Sequence, residues 1–190
     1  MKKVLFFIFI FTMLAFSSLG GISVIITPSS QLVIKGKTNV NSFKCQYNIL
    51  KLNKPIPVFF KRDKEKIIFN KTTLVLENTD FDCGGRGINA DFQKLLKSET
   101  HPQIYIKLKE ISKDPKDENL VNALLDLDLA GVTKSYVIPV ELEGEDILIV
   151  KGVLSLNIRD FNLEPPKKAL GLIVVEDLIE IDFQLKVKEY

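Results

Sequence analysis

The last strand-like segment of the chain alternates apolar and polar residues over ten positions. Its apolar members are Ile179, Ile181, Phe183, Leu185 and Val187, and charged or amide residues stand between them. Successive side chains of a β-strand point to opposite faces, so a period of two predicts a half-buried strand. A strand with one apolar face has to bury that face against other strands. The segment therefore predicts a sheet with one solvent-exposed face and one buried face.

The same alternation recurs through much of the chain. It runs through residues 104–108, 121–129, 136–142 and 148–158, and turn-like residues separate these runs. Less regular strands are predicted over residues 22–27, 31–38, 58–62, 66–69 and 73–77. We therefore predict one all-β domain. An antiparallel barrel of about eight strands would leave no free edge and could enclose a small ligand. A two-sheet sandwich is the alternative, because periodicity does not separate the two architectures.

One segment departs from the period of two. Ile88, Phe92, Leu95 and Leu96 are spaced as on one face of a short amphipathic helix. Asn89 is the predicted N-cap of that helix. The residues before it, Gly84–Gly87, resemble an anion-binding loop, but they lack the lysine and hydroxyl of a P-loop and favour a plain turn.

The first twenty residues have the composition of a signal peptide. Lys2 and Lys3 precede an apolar run from Val4 to Phe16, and Ser18 and Gly20 suit a cleavage site after Gly20. The run is too short to span a bilayer as a helix. We predict that residues 1–20 are removed and that residues 21–190 form the exported domain, with no stable membrane span. An uncleaved membrane anchor is the alternative.

Cleavage would leave the domain with no net charge. The chain has 26 basic and 24 acidic residues, and Lys2 and Lys3 are lost with the leader. Nucleic-acid binding depends on many phosphate contacts, so we expect no nucleic-acid partner. Zero net charge gives no argument for an anionic membrane surface either.

Two cysteines and one histidine limit the chemistry. An even number of cysteines in an exported domain favours a disulfide between Cys45 and Cys83, with two free thiols as the alternative. These cysteines and His101 fall short of a zinc site, so we expect no metal and no cofactor. His101 stands directly before Pro102, a position typical of a turn. The sequence therefore favours a protein that is not an enzyme.

Several blocks of the chain resemble one family. From about residue 22 to residue 187 the chain is similar to the YceI-like family of exported lipid-binding domains. The blocks that carry the resemblance are Gly36–Phe43, Phe81-Asp82, Ile88–Phe92, Pro102–Ile104, Leu129–Lys134 and Asp160–Leu163. Cys45 and Cys83 resemble a cysteine-bearing subset of the family, for which a bridge between the early strand and the middle block would fit.

The resemblance implies a lipocalin-like, eight-stranded antiparallel β-barrel with one short α-helix. It implies an apolar cavity that holds a polyisoprenoid or an isoprenoid quinone for transport, storage or sequestration. It implies a periplasmic location, while secretion beyond the periplasm and homodimerisation stay open. A structural or interaction module of the envelope is the alternative function.

The resemblance and the strand pattern together predict the ligand contacts. The predicted apolar contacts are Phe43, Phe69, Phe81, Phe92, Ile104, Ile106, Leu127, Tyr136, Ile138, Phe161, Leu172 and Phe183. Arg86 and Lys134 are the predicted partners of a polar or anionic headgroup.

Overall fold

The computed structural model describes residues 20–117, 119–168 and 172–190, so the predicted signal peptide lies, except for Gly20, outside the described residues. These ranges contain twelve β-strands, one α-helix and three short 3₁₀ helices. The strands are β1 (Gly20–Ile26), β2 (Gln31–Thr38), β3 (Ser42–Tyr47), β4 (Ile56–Asp63), β5 (Lys66–Glu77), β6 (Phe81–Asp82), β7 (Gln103–Lys113), β8 (Leu120–Leu129), β9 (Val132–Glu143), β10 (Leu148–Asn157), β11 (Lys167–Lys168) and β12 (Ile173–Glu189). The helix is α1 (Arg86–Leu95), and the 3₁₀ helices are Ile49–Lys51, Asn78–Asp80 and Ile158–Phe161.

Eight of the strands close into a ring. Their order is β1, β4, β5, β7, β8, β9, β10 and β12, and β12 pairs back onto β1 through the register Ile26 to Val187. Every pairing is antiparallel. The ring confirms the predicted eight-stranded antiparallel barrel and excludes the two-sheet alternative. Of the other four strands, β2, β3 and β6 extend from β12 as a flap outside the ring, and β11 pairs with β12.

The flap exists because β12 takes two partners along one edge. Its last residues pair with β1, and its middle pairs with β2 from Gln184 opposite Gln31. Between β1 and β2 the chain bends, and the bend is fixed to Lys186. The Thr27 amide donates to the Lys186 carbonyl at 2.8 Å, and the Lys186 amide donates to Ser30 Oγ at 2.8 Å. β1 can therefore turn away to β4 and close the barrel.

One long strand replaces two predicted strands. Residues 66–69 and 73–77 belong to a single β5, whose pairing with β7 shifts register between Ile68 and Thr72. Lys71 has a φ of 59° inside this irregularity, a left-handed conformation that interrupts regular pairing. Polar residues in the bulge interrupt the period of two, so the sequence pattern did not show that the strand continues through it.

The helix begins earlier than predicted. α1 starts at Arg86 with Gly85 at the N-cap position, so the prediction of Asn89 as N-cap is wrong. The Asn89 side chain instead holds the incoming chain. Its Oδ1 accepts a hydrogen bond from the Cys83 amide at 2.7 Å, and its Nδ2 donates to Asp82 Oδ1 at 3.1 Å. The predicted apolar face of the helix does pack against the core through Ile88, Phe92 and Leu95.

The return from α1 to β7 is fixed by a buried amide. The Asn78 backbone amide donates to the Pro102 carbonyl, and its side-chain Nδ2 donates to the His101 carbonyl at 2.7 Å and to Ser98 Oγ at 2.9 Å. The His101 ring lies against Gly131, which has a φ of 80° in the turn between β8 and β9. His101 is therefore a turn residue in contact with another turn.

None of the helices among the described residues has both the length and the apolar character that a membrane crossing requires.

Candidate functional site

The register of the ring assigns one apolar face to the barrel interior. Directly paired residues of neighbouring strands share a face. Ile106 pairs with Leu74 on one side and with Leu127 on the other. One level further along, Leu108 pairs with Leu125, which pairs with Tyr136. These paired rows are mostly apolar, with Lys134 and Thr72 as polar members, so most of the interior has the chemistry of a hydrocarbon.

Side chains fill the interior near α1. There the inward residues of β5, β7, β8 and β10 are almost inaccessible to solvent, and the 3₁₀ helix Ile158–Phe161 places Phe161 among them. The fully packed inward residues include Leu76, Ile104, Leu127, Leu129, Ile138, Leu154 and Leu156. This half of the barrel is a conventional core.

Many of the remaining inward residues are only half-buried, although they point to the same interior. They are contributed mainly by β4, β5, β7 and β12, and β9 and β10 add a few. The half-buried inward residues are Val24, Ile56, Val58, Phe60, Ile67, Phe69, Leu74, Ile106, Leu108, Ile111, Val121, Tyr136, Leu142, Val150, Ile179, Ile181, Phe183, Leu185 and Val187. A close-packed interior would bury these side chains. The solvent-exposed area of these side chains shows that they do not fill the whole interior of the barrel. We call the space that they leave open the lumen.

Two glycines, one in the flap and one in the ring, lie under aromatic rings of neighbouring strands. A Cβ atom on Gly36 would lie 2.3 Å from Phe43 Cζ, and a Cβ atom on Gly152 would lie 2.7 Å from Phe183 Cζ. Such distances mean that each ring covers the glycine on the neighbouring strand, an arrangement known from other sheets. Phe183 therefore lies along the wall, where it leaves room beside it.

A disulfide and an aromatic cluster hold the α1 end of the barrel. Cys45 of β3 is bonded to Cys83, which directly follows β6, and this confirms the predicted pair. Phe81 contacts Tyr47 and Phe92, with ring centroids 4.9 and 5.2 Å apart. Burial raises the pKa of Tyr47 to about 12. This end is covalently and sterically fixed.

The pairing between β9 and β10 is short. These strands pair only from Glu143 opposite Ile149 to Val140 opposite Gly152, and they diverge beyond this point. The Tyr136 and Phe161 rings stack in this region with centroids 6.4 Å apart. Burial, together with the nearby Asp160 carboxylate, raises the pKa of Tyr136. The 3₁₀ helix thus closes a gap that the backbone leaves open.

Residues 60–187 match the model of the YceI-like domain. The chain belongs to the YceI-like family. Comparison with curated proteins gives no match.

Solved structures share the fold of this YceI-like protein. A polyisoprenoid binding domain from Saccharophagus degradans, implicated in plant cell wall breakdown, is 14% identical with a TM-score of 0.62, over 90% of this chain and 99% of that one. Burkholderia cenocepacia BcnA is 19% identical with a TM-score of 0.57, over 83% and 95%. A YceI protein from Campylobacter jejuni is 15% identical with a TM-score of 0.54, over 70% and 80%.

The predicted contact residues occupy three different environments in the YceI-like barrel. Phe81, Ile104, Leu127, Ile138 and Phe161 are fully buried. The half-buried set consists of Phe43, Phe69, Phe92, Ile106, Tyr136 and Phe183. Of these, Ile106, Phe183 and Phe69 border the lumen on three different strands, and Phe69 pairs with Phe60. No ligand tests any of these contacts, so each stays a prediction.

Three predicted residues are exposed to solvent. Arg86 is the first residue of α1, and Lys134 lies on β9 opposite Leu127. Leu172 immediately precedes β12, and most of its side chain is accessible to solvent. The predicted contacts of these residues also stay predictions.

The structure adds lumen residues that the sequence alone did not single out. Leu74, Leu108 and Ile181 are inward and half-buried, and the period of two assigns all three to an apolar face. The period of two treats all apolar positions on a face alike, so the lumen residues could be identified among them only from the pairing register of the strands. Thr72 is also inward and buried, but the bulge in β5 breaks the pattern that would have placed it.

Titratable groups lie mainly outside the lumen. Among the described residues, no three His, Cys, Asp or Glu side chains converge as metal ligands. Asp126 is on the outer face of β8, where it accepts a hydrogen bond from Ser135 Oγ at 2.7 Å, and this bond lowers its pKa. Asp128 accepts from Thr133 Oγ1 at 3.0 Å on the same face. Both carboxylates therefore lie on the outer face of β8, bonded to hydroxyls of β9.

A surface cleft of about 510 Å³ lies outside the barrel, between α1 and residues 162–166. Lys94, Lys97 and Glu164 line it together with a few apolar side chains. Its charged lining does not suit a hydrocarbon ligand, so the lumen is the better candidate site.

Proposed function

We propose that this YceI-like protein is a non-catalytic binding protein that holds an isoprenoid lipid in the lumen. The ligand class is a polyisoprenoid or an isoprenoid quinone, held for transport, storage or sequestration. The observation that carries the proposal is the set of half-buried apolar side chains inside a closed ring. The naming of the Saccharophagus degradans structure as a polyisoprenoid binding domain supports the ligand class.

Burial of hydrocarbon supplies the affinity in this proposal. Each buried CH₂ contributes about 0.8 kcal/mol, and association and ordering costs reduce the total. An isoprenoid unit would therefore add several kcal/mol of gross stabilisation without any polar contact. A flexible branched chain suits a lumen lined by Ile, Leu, Val and Phe, because these side chains present no unpaired polar groups to it.

The proposal includes no catalytic step and no cofactor. The only histidine, His101, is packed on Gly131 in a turn and does not face the lumen rows. Arg86 and Lys134 remain the proposed partners for a polar headgroup, because each combines positive charge with exposure to solvent.

Export to the periplasm is part of the same proposal. Residues 1–20 have the order of charge, apolar run and small residues that signal peptides show. The Cys45–Cys83 disulfide fits an oxidising compartment. N-terminal sequencing of the protein recovered from a periplasmic extract should begin at Gly21. A chain that still begins at Met1 would contradict cleavage.

The decisive experiment is to identify what the protein carries. We expect native mass spectrometry of the purified protein to show a non-covalent adduct, and lipid mass spectrometry of an organic extract to show a mass series spaced by isoprene units. Protein without an adduct that also fails to take up an added polyprenol would contradict the proposal.

Matched variants locate the ligand. Leu108→Trp places a larger side chain in the lumen, and we expect it to lose the adduct. Lys107→Trp places the same side chain on the outer face of the same strand, and we expect it to retain the adduct. Equal lipid content in the two variants would show that the lipid does not occupy the lumen.

A further inference from the structure

The domain separates its charges although their sum is zero. Asp63 is the first acidic residue of the chain, so β1 is uncharged, and β2, β3 and most of β4 contain basic residues and no acidic ones. The excess of acid lies in the rest of the barrel. Charge asymmetry of this kind is typical of proteins with an anionic partner. The net charge of the whole domain does not show this asymmetry.

Apolar side chains are exposed at the end of the flap. Val40 lies in the turn between β2 and β3 and is 67% exposed. Leu172 and Val174, at the start of β12, are 74% and 36% exposed. We call these three residues, with Lys37 and Lys44, the flap tip.

Hydrogen bonds hold the two parts of the flap tip together. The Asn39 amide donates to the Val174 carbonyl at 3.1 Å, and Asn39 Oδ1 accepts from the Val174 amide at 3.0 Å. Asn39 Nδ2 donates to the Leu172 carbonyl at 2.8 Å. These three bonds place Val40 in a turn that is fixed to Leu172 and Val174.

The turn itself is also ordered. Thr38 Oγ1 accepts hydrogen bonds from the amides of Val40 and Asn41, at 3.2 and 2.9 Å. The Ser42 amide donates to Asn41 Oδ1 at 2.8 Å. The exposure of Val40 is therefore built into a hydrogen-bonded turn, and apolar surface at a fixed turn is a feature of interaction sites.

Lysines flank the exposed apolar side chains. Lys37 and Lys44 are exposed on β2 and β3, and within the described part of the chain neither forms an ion pair, whereas Lys35 is bonded to Asp182. On β12 the nearest acids are Glu176 and Asp177, and Asp177 is bonded to Arg159. The flap tip thus presents free positive charge beside apolar groups.

We propose that the flap tip docks the protein on an anionic lipid bilayer. Val40 and Leu172 would insert at the boundary of headgroups and acyl chains, and Lys37 and Lys44 would contact anionic headgroups. Apolar side chains together with lysines are the combination that interfacial binding uses. This inference uses only the outer surface of the protein, so it does not depend on a ligand in the lumen.

A bilayer fits this surface better than an acidic protein does. The apolar groups are three single side chains, one in the β2–β3 turn and two at the start of β12, too few for the buried core of a stable protein interface. Partition into a membrane interface requires no complementary pocket.

The test is co-sedimentation with vesicles, using residues 21–190, which contain the complete ring apart from Gly20. We expect binding to phosphatidylcholine vesicles that contain about one-third phosphatidylglycerol, and loss of binding as salt screens the lysines. Lys37→Gln and Lys44→Gln should each weaken the partition coefficient about fivefold, the effect of one cation near such a surface. Val40→Ser should also weaken it severalfold.

Each variant has a matched control elsewhere on the barrel. Val137→Ser removes a valine that is 62% exposed on β9, and Lys107→Gln removes an exposed lysine on β7. Neither control should change the partition coefficient by more than about twofold. Circular dichroism melting curves should show all variants folded, because every substituted side chain is exposed.

Three results would overturn the proposal. The first is no binding of the unmodified protein to anionic vesicles at low salt. The second is equal binding to pure phosphatidylcholine vesicles, and the third is equal losses for the flap-tip variants and their controls. The lipid content of the purified protein is measured separately, so failure here and failure of the proposed function give different results.

Discussion

The hydroxyl of Thr72 is buried on the inward face of β5, opposite Leu108, and it makes no hydrogen bond with the described residues. A buried hydroxyl without a partner costs about 1–3 kcal/mol. Valine has nearly the same shape without the hydroxyl and has a high β-propensity. We expect Thr72→Val to raise the free energy of unfolding by about 1 kcal/mol. Urea denaturation measures this change.

The neighbouring residue provides the control for this prediction. Thr73 is on the outer face of β5 opposite Lys107, so Thr73→Val should change the free energy of unfolding by less than about 0.5 kcal/mol. A Thr72→Val protein that is less stable than the unmodified protein would show that the hydroxyl has a partner, such as a bound water.

Tyr47 makes stability depend on alkaline pH. Burial raises the pKa of Tyr47 to about 12, whereas an unfolded tyrosine titrates near pH 10. The folded protein keeps the proton more tightly, so this contribution is complete below pH 10 and is lost as pH rises toward 12. The loss amounts to roughly 2–3 kcal/mol, since one pKa unit corresponds to about 1.4 kcal/mol.

Comparison with Tyr47→Phe isolates this contribution. The free energy of unfolding, measured by urea denaturation between pH 9 and 11.5, should fall more steeply for the unmodified protein than for the variant. Parallel curves would mean that Tyr47 titrates equally in both states. The comparison is necessary because lysines also titrate in this range.

At the scale of the secondary-structure element, the sequence predicted strand faces better than strand boundaries. Alternation alone identified the apolar faces of β8 and β12. Successive side chains of a strand point to opposite faces whatever the pairing of that strand with its neighbours. The bulge in β5 and the start of α1 at Arg86, before the predicted N-cap, were not predictable in this way. The bulge depends on the pairing of β5 with β7, and the early start of α1 leaves the Asn89 side chain to accept a hydrogen bond from the amide of Cys83.

The Cys45–Cys83 disulfide joins two elements that share few backbone contacts. β3 and β6 pair only through Gln46 with Asp82 and Tyr47 with Phe81. The bridge closes a loop with a sequence separation of 38 residues. Restricting the unfolded chain over such a loop stabilises the fold by about 4 kcal/mol. We expect the double variant Cys45→Ala, Cys83→Ala to lose about this much in guanidinium denaturation.

Reduction provides the matching control for the disulfide. The unmodified protein unfolded in a phosphine reductant should show the same stability as the double variant, because both lack the bridge. A loss below about 1 kcal/mol in both cases would mean that the short β3–β6 pairing and the surrounding core already restrict this segment.

At the scale of the whole molecule, the strand pattern predicted an all-β domain and the family resemblance implied a closed barrel, but neither predicted the extent of the lumen. A barrel of this size can be filled by its own side chains or can enclose a ligand. Whether a barrel is filled or has a lumen depends on which inward side chains pack against each other. Ile138 and Leu108 both stand in an alternating apolar–polar segment, so the sequence does not distinguish them. Only the register separates the buried Ile138 from the half-buried Leu108.

Because the lumen exists only in the folded ring, a lumen ligand must stabilise the whole molecule. A ligand that binds only the folded state adds about 2.7 kcal/mol at 100 times its dissociation constant. For a chain of this size we expect the melting temperature of the delipidated protein to rise by about 5–10 °C with a polyprenol. Lys107→Trp should show the same rise, and Leu108→Trp should show almost none, because its indole occupies the space of the ligand. A rise of equal size in both variants would place the bound lipid on the outer surface instead.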